Sequence, residues 1–171
     1  TKNKNLKKRG DLHKHFQNIQ KNIKAAIKNP RSVKGITKTK TSRIFYYNPT
    51  FTVNKNIRNH KGLLLAKKGD KINPLKTIKL SNPIFFFDGD DPEQVTWIKK
   101  QIKVFPNAIL VLVKGSPLSL SKELKKRVYF DQGGRLCRKL SLYKVPVCIT
   151  QEKLYLRIHE ISLFFPKSKE E

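Results

Sequence analysis

The chain has 171 residues, of which 38 are Lys or Arg and 12 are Asp or Glu, so its formal net charge is +26. Hydrophobic residues make up 37% of it, which is enough for a folded core and excludes a wholly disordered basic tail. No apolar run approaches the ~18 residues that a membrane-spanning helix needs. Its two cysteines are too few for a disulfide scaffold. The sequence therefore predicts a globular protein that is not integral to a membrane.

The positive charge makes nucleic acid, or another polyanion, a candidate partner. Lysine supplies 30 of the 38 cations, however, whereas bidentate recognition of phosphate or guanine favours arginine. Asn and Ile are also abundant, and AT-rich genomes tend to encode such a composition, so the charge has a compositional explanation as well. Residues 1–80 carry +20 of the total, which indicates that the two halves of the chain differ in structure.

Residues 1–43 are predicted to form a basic tail, an amphipathic helix and a linker. The tail, residues 1–9, has no apolar period. From Asp11 to Asn29 apolar residues recur at alternating steps of four and three, which is typical of an amphipathic helix, and Pro30 ends it. The apolar stripe packs either on the rest of this protein or on a partner. It includes Leu12, Phe16, Ile19 and Ile23.

Residues 44–80 are predicted to form a small β-hairpin region. Residues 44–53 alternate in polarity and are rich in aromatics, and residues 62–66 (GLLLA) form a short apolar run between turn signals. An Asn-Pro-Leu turn at residues 73–75 closes the region.

Residues 81–171 alternate strand and helix signals. Strands are predicted at 84–87, 108–113, 128–130, 147–150 and 154–161. Helices are predicted to begin at Pro92, after two aspartates, and at Ser116, with a short helix at 136–140. This order predicts an α/β domain with a mixed sheet and helices on both faces.

Three motifs of this half occur in a recognisable order: residues 87–97 (FDGDDPEQVTW), 128–134 (VYFDQGG) and 140–147 (LSLYKVPV). With residues 48–62 and 69–75 they resemble the TraW family, the periplasmic assembly proteins of F-type conjugative type IV secretion systems. The resemblance implies a thioredoxin-like fold for residues 81–171 and a TrbC-like pilus assembly protein as partner, with other envelope subunits as further candidates. It also implies a periplasmic location after a signal peptide has been removed, and the chain contains no Met.

A thioredoxin-like fold implies that the Val145-Pro146 peptide bond is cis and lies beside an exposed backbone edge that can receive a partner strand. Where thioredoxins carry their redox cysteines, this chain has residues 89–92 (GDDP). Dithiol exchange needs a thiolate of low pKa, which carboxylates cannot supply. The sequence therefore predicts a binding protein that is not an enzyme and uses no cofactor.

The predicted partner surface combines three regions of the chain, which are Trp97, the backbone near Pro146 and the N-terminal stripe. Trp97 is placed on the polar side of its helix, with Gln94 and Gln101, where it either anchors a partner or is covered by residues 44–80. The full set is Trp97, Val145, Pro146 and the stripe residues Leu12, Phe16, Ile19 and Ile23.

A structural role is predicted for the turn at residues 131–134, where Asp131 caps the following helix and Gly133 and Gly134 take positive φ. An acidic cluster at residues 88–93 is explained by helix capping, with a divalent cation as the alternative. Cys137 and Cys148 form a disulfide, are buried as small hydrophobic residues, or include a reactive thiol, and all three interpretations stay open. No catalytic set or metal-ligand spacing is found.

The main functional hypothesis is a non-enzymatic periplasmic protein that acts in pilus assembly. One alternative is a basic nucleic-acid-binding protein, against which stands the lack of a groove-reading helix or of an aromatic stacking platform. The other alternative is a divergent thioredoxin-like oxidoreductase, which would need an exposed, acidic thiol at Cys137 or Cys148.

Overall fold

The computed structural model describes residues 17, 18, 21 and 28–164. The predicted stripe Leu12, Phe16, Ile19 and Ile23 lies outside these residues, as does the predicted tail. Within the described part the strands are β1 Thr37–Lys38, β2 Arg43–Tyr47, β3 Phe51–Thr52, β4 Ile57–Arg58, β5 Leu64–Ala66, β6 Lys71–Ile72, β7 Ile84–Asp88, β8 Ile109–Lys114, β9 Val128–Phe130, β10 Lys144–Val145, β11 Val147–Glu152 and β12 Tyr155–Glu160. The α-helices between residues 92 and 139 are α1 Pro92–Val104, α2 Pro117–Leu124 and α3 Arg135–Lys139.

The main sheet has six strands in the order β2-β12-β11-β7-β8-β9. Strands β7, β8 and β9 run parallel, and the pairs β7·β11, β11·β12 and β12·β2 are antiparallel. The two parallel connections run through α1 and α2, as expected for parallel neighbours. The predicted mixed α/β architecture is therefore confirmed.

Each face of the sheet has its own hydrophobic core because successive side chains along a strand point to opposite faces. On one face Phe86, Val111 and Val147 pack with Cys137 of α3. On the other face the side chains of Phe85, Phe87, Leu110 and Leu112 pack under helices α1 and α2, which contribute Ile98, Leu120 and Leu124. Helices thus lie on both faces.

Capping side chains fix where the first two helices begin. The Asp91 carboxylate accepts a hydrogen bond from the Glu93 N–H at 3.0 Å, with Pro92 in the first helical position. Ser116 caps α2 in the same way, followed by Pro117. Both starts follow the rule that a short oxygen-bearing side chain satisfies an unpaired N–H and that proline is tolerated in the first turn.

The interpretation of residues 31–43 as a linker was wrong. Val33 and Ile36 pack against the core on the α3 face, and β1 pairs in parallel with β10. Arg43 begins β2, an edge strand of the main sheet that pairs with β12. The division into residues 1–43, 44–80 and 81–171 stays a prediction, but β1 and β2 tie the first two segments to the third.

Residues 48–80 lie outside the main sheet and form two small antiparallel pairs, β3·β6 and β4·β5. Val53 and Ala66 are the buried hydrophobic residues of this region. A 3-10 turn at Pro74–Lys76 follows β6. Among the described residues, the helices are all too short or too polar to cross a membrane.

Candidate functional site

The candidate site lies where β10 meets β11, next to the first turn of α1. The Val145–Pro146 peptide bond between these strands is cis. Val145 is 2% exposed and Pro146 is also buried. These two residues of the predicted partner surface are therefore not accessible as side chains.

The backbone edge beside Pro146 is already filled by this chain, so the prediction of an exposed edge was wrong. Strand β1 runs along it, with Thr37 opposite Lys144 and Lys38 opposite Val145. The Thr37 N–H donates to the Tyr143 carbonyl at 3.0 Å, and the Thr39 N–H donates to the Val145 carbonyl at 2.7 Å. The segment that satisfies the edge lies more than 100 positions away in sequence, which is why local patterns did not reveal it.

Lys38 connects this strand to the start of α1. Its ammonium lies 2.9 Å from an Asp91 carboxylate oxygen and also pairs with Glu93. The hydrogen bond with Glu93 raises the pKa of Lys38 and outweighs the opposing effect of burial. Lys38 therefore stays charged and holds β1 against two carboxylates at the positive end of the helix dipole.

Asp91 serves both the helix and the strand. Burial alone would raise the pKa of its carboxyl, but hydrogen bonds from Lys38 and Gln94 and from the Glu93 N–H together hold this pKa below its usual range. The carboxylate therefore remains ionised and caps α1 while it pairs with β1.

The remaining carboxylates of the acidic cluster also have protein partners. The Lys114 ammonium lies 3.8 Å from an Asp88 oxygen and 3.6 Å from an Asp90 oxygen. Asp88 in addition accepts a hydrogen bond from the Asp90 N–H at 2.8 Å. In the described part of the chain no group of three or more His, Cys, Asp or Glu is arranged to hold a metal ion.

Trp97 does not lie on a polar face, and that placement was wrong. Its neighbour Gln94 is 1% exposed. The Gln94 amide accepts from the Asp88 N–H at 2.9 Å and donates to Asp91 at 3.0 Å, so this polar side chain is satisfied inside the protein. The Trp97 ring is half-buried and packs edge-on against Phe85, with ring centroids 5.3 Å apart. Helical periodicity could not reveal this because it treats every glutamine as solvent-facing.

The two cysteines are free and lie on opposite sides of the sheet. Cys137 is buried in the core on the α3 face, whereas Cys148 packs against the core on the α1 face. Burial raises the pKa of both thiols, and the Asp131 carboxylate adds to the effect at Cys137. Protonated thiols are poor nucleophiles, so these residues do not match the needs of dithiol exchange.

The turn at residues 131–134 positions α3 and receives the N-terminal segment. The Asp131 carboxylate accepts from the Leu136 and Cys137 N–H groups, both at 2.9 Å. Gly133 and Gly134 have φ of 65° and 68°. A Cβ at Gly134 would lie 2.6 Å from Val33 Cγ1, so glycine is needed there for the segment to dock.

Sequence reasoning missed Lys38 and Val33, although both position this site. One signal was present: residues 37–41 read Thr-Lys-Thr-Lys-Thr, an alternation of period two with β-branched residues. Thr39 is 0% exposed, whereas Thr37, on the same side of this alternation, is exposed, so the pattern indicates a strand but not which threonine is buried.

A groove of about 960 Å³ is lined by residues 28–34 on one side and by Phe130, Gln132, Gly133 and Arg138 on the other. Phe130 contributes an apolar wall, and the described lining carries four cations and no carboxylate. Pro30, where the predicted N-terminal helix ends, is one of the lining residues. The predicted helix therefore precedes strand β1 of the candidate site by only a few residues of sequence.

Comparison with known proteins decides the family. Over 145 residues the chain is 30% identical to Protein TraW of Escherichia coli (strain K12), and the match covers 85% of this chain and 69% of that protein. The chain belongs to the TraW family. No family model matches this TraW-family chain, and no solved structure matches it.

The TraW match includes β1, β10 and the start of α1, which form most of the site described above. A matched stretch of 145 residues within 171 contains residues 27–145 wherever it begins. Strand β1, Lys38 and the start of α1 therefore fall inside the region that is similar to the E. coli protein. The resemblance to the TraW family that the sequence motifs indicated is confirmed.

Proposed function

We propose that this TraW-family protein is a non-enzymatic component of a conjugative type IV secretion system. It resides in the periplasm and takes part in pilus assembly by binding a TrbC-like protein. The observation that carries the proposal is the family membership, since 85% of the chain matches Protein TraW. The motifs that first indicated the family lie around the candidate site.

A binding role, without catalysis, agrees with the chemistry of the site. The carboxylates at the start of α1 pair with Lys38, and those of Asp88 and Asp90, which precede the helix, pair with Lys114. The thiols are buried and have raised pKa values. A thioredoxin-like fold for residues 81–171 is part of the proposal, supported by the parallel pair β7·β8 beside the antiparallel pair β11·β12, with Pro146 at the start of β11.

The proposed partner surface is centred on the N-terminal stripe. Val145 and Pro146 lie beneath β1, and Trp97 offers only the part of its ring that does not pack on Phe85. The stripe of Leu12, Phe16, Ile19 and Ile23 supplies the spacing with which an amphipathic helix fits an apolar groove. Such helices place most of their binding free energy in a few apolar anchors.

Co-purification with the cognate TrbC-like protein tests the proposal. The full chain is expected to form a complex that survives size-exclusion chromatography. Replacing Leu12, Phe16, Ile19 and Ile23 by Ser is expected to weaken it about tenfold or more. The matched control replaces Asn18 and Lys21, which are exposed, by Ala and leaves the complex intact.

Two outcomes would count against this function. If the wild-type chain forms no complex with the TrbC-like protein, the choice of partner is wrong. If a strain that lacks this protein still assembles pili and transfers DNA at the normal frequency, the role in pilus assembly is wrong.

A further inference from the structure

We propose that the hairpin of residues 57–66, here called the leucine hairpin, binds the surface of an anionic phospholipid bilayer. It would insert two leucines among the lipids while the surrounding lysines contact the phosphates. The inference goes beyond the proposed function and does not depend on the TrbC-like partner.

The apolar part of the leucine hairpin is unusually exposed. Leu63 and Leu65 are 64% and 62% exposed, and Ile57 on the opposing strand is 43% exposed. Leu63 directly precedes β5, and Leu65 lies in β5 where the pairing with β4 shifts register, between the partners of Ile57 and Arg58. Ala66, the next residue, is buried. Neighbouring exposed apolar side chains of this size indicate an interaction surface.

The turn that presents these leucines is rigidly built. The Asn59 side chain accepts from the Lys61 N–H at 2.9 Å and from the Leu63 N–H at 3.0 Å. The Arg58 guanidinium donates to the Gly62 carbonyl at 2.9 Å, which closes the turn from the other side. The leucines are therefore held in the solvent by a preformed turn, and little ordering entropy opposes their insertion.

The charge around the leucines is positive and unpaired. Residues 55–71 contain six cations, and among the described residues none of them forms an ion pair with a carboxylate. The one acid in this stretch, Asp70, accepts a hydrogen bond from the Lys67 backbone N–H at 2.7 Å. The cations are Lys55, Arg58, Lys61, Lys67, Lys68 and Lys71.

The exposure and charge of the leucine hairpin favour a bilayer over a folded protein. The leucine hairpin lies outside the main sheet, and its residues 60–63 are all exposed. Exposed leucines flanked along the chain by lysines match the layering of a membrane surface, where acyl chains lie beneath anionic phosphates. Each cation near such a surface raises the partition coefficient by about fivefold.

Vesicle co-sedimentation with the full chain tests the proposal. Vesicles of phosphatidylcholine with about 30% phosphatidylglycerol are compared with pure phosphatidylcholine at about 150 mM NaCl. We expect at least roughly tenfold stronger binding to the anionic vesicles. Changing Leu63 and Leu65 to Ser is expected to reduce that binding by about tenfold. Changing Lys61 and Lys67 to Glu is expected to reduce it more strongly.

The controls separate the leucine hairpin from the overall charge. Val104 and Leu118 are 68% and 49% exposed on α1 and α2, and their replacement by Ser removes similar apolar area elsewhere. Lys103→Glu with Lys122→Glu changes the net charge by the same amount as the change at Lys61 and Lys67. Both controls are expected to change binding less than threefold or so, since they lie outside the inserted turn. Unchanged Tm values establish that every variant folds.

Three results would overturn the proposal. Equal binding to neutral and anionic vesicles would exclude the charge contribution. Equal losses in the hairpin variants and their controls would show diffuse attraction by the net charge. Normal vesicle binding by the hairpin variants, together with loss of a protein complex, would assign the leucine hairpin to a protein partner.

Discussion

Gly89 lies where the backbone approaches two core side chains most closely. A Cβ at this position would lie 2.5 Å from Leu120 Cδ1, 2.9 Å from Leu112 Cδ2 and 3.0 Å from the Lys114 carbonyl oxygen. The Gly89 N–H also donates to that carbonyl at 2.9 Å, so the backbone cannot retreat without losing a hydrogen bond. Space, rather than an unusual φ, accounts for glycine here.

We expect Gly89→Ala to reduce the free energy of unfolding by about 1–3 kcal/mol, because the added methyl overpacks the contact between α2 and β8. Urea denaturation measures this value. Combined with Leu120→Ala, which opens the site, the same change is expected to cost at least ~0.5 kcal/mol less. Strictly additive costs would contradict the steric explanation.

A buried carboxylate at the end of β12 depends on one cation. Glu160 is fully buried, and its oxygens accept from Arg43 Nε at 3.0 Å and Nη2 at 2.9 Å. Arg43→Ala is expected to lower the Tm because it leaves this carboxylate buried without its cation.

Thermal denaturation of the variant and of the unchanged protein checks this expectation. The matched control is Lys99→Ala, which breaks an ion pair with Glu123 in which both side chains are 49% exposed. It is expected to leave the Tm nearly unchanged because exposed pairs contribute little. A Tm for Arg43→Ala that falls no further than the control would contradict the role assigned to Glu160.

At the scale of elements, the α-helices and the main-sheet strands of residues 84–160 were predictable, whereas the paired strands β1 and β10 were not. The start of α1 could be derived from Asp91, Pro92 and Glu93 because capping is local chemistry. The strand β8 could be derived from its continuous apolar run. Strand β1 has only two residues. It is stabilised by its pairing with β10 and by the ion pairs of Lys38 with Asp91 and Glu93, and these contacts join residues that are far apart in the sequence.

The attachment of β1 makes a prediction about amide exchange. Lys38→Ala is expected to increase the exchange rates of the Thr37 and Thr39 amides by roughly fivefold relative to those of β8, because two ion pairs are lost. Hydrogen exchange measured by NMR checks this. Lys40→Ala, an exposed lysine on the same segment, is the control and is expected to change neither rate.

The pH dependence of β1 follows from the same groups. The pKa of Asp91 is lowered in the folded protein. Its ionised carboxylate therefore stabilises the folded protein above the unfolded pKa near ~3.9, and this stabilisation is lost as the pH falls through the folded pKa. The pKa of Lys38 is raised in the folded protein. Its ammonium therefore stabilises the folded protein below the unfolded pKa, and this stabilisation is lost only as the pH rises through the folded pKa. We expect protection of Thr39 relative to β8 to fall in acid below about pH 4. Unchanged relative protection there would contradict this role for the ion pairs.

At the scale of the molecule, the net charge of +26 repels itself in the compact state. The ion pairs among the described residues involve only five cations, which are Lys38, Arg43, Lys99, Lys114 and Arg157. We therefore expect added NaCl, by screening this repulsion, to raise the Tm by about 2–4 °C for each kcal/mol gained. Scanning calorimetry from low to moderate salt measures it. A Tm that falls with salt would show that ion pairs outweigh the repulsion.

The charge was the clearest property of the sequence and the least informative about the fold. Its concentration in residues 1–80 suggested a separate basic region, yet β1 and β2 of that region are built into the same structure as residues 81–164. Net charge does not report which strands pair, because pairing depends on hydrogen bonds and on side chains that face the core.

Any strand that binds the edge beside Pro146 must first displace β1, so β1 sets the minimum affinity that such a ligand needs. A strand tethered within the chain competes at an effective concentration on the order of millimolar. The apparent affinity of an incoming strand is reduced by the fraction of molecules in which β1 is detached. The ion pairs of Lys38 thus govern how strong a competitor must be, and their strength can be adjusted without touching the edge itself.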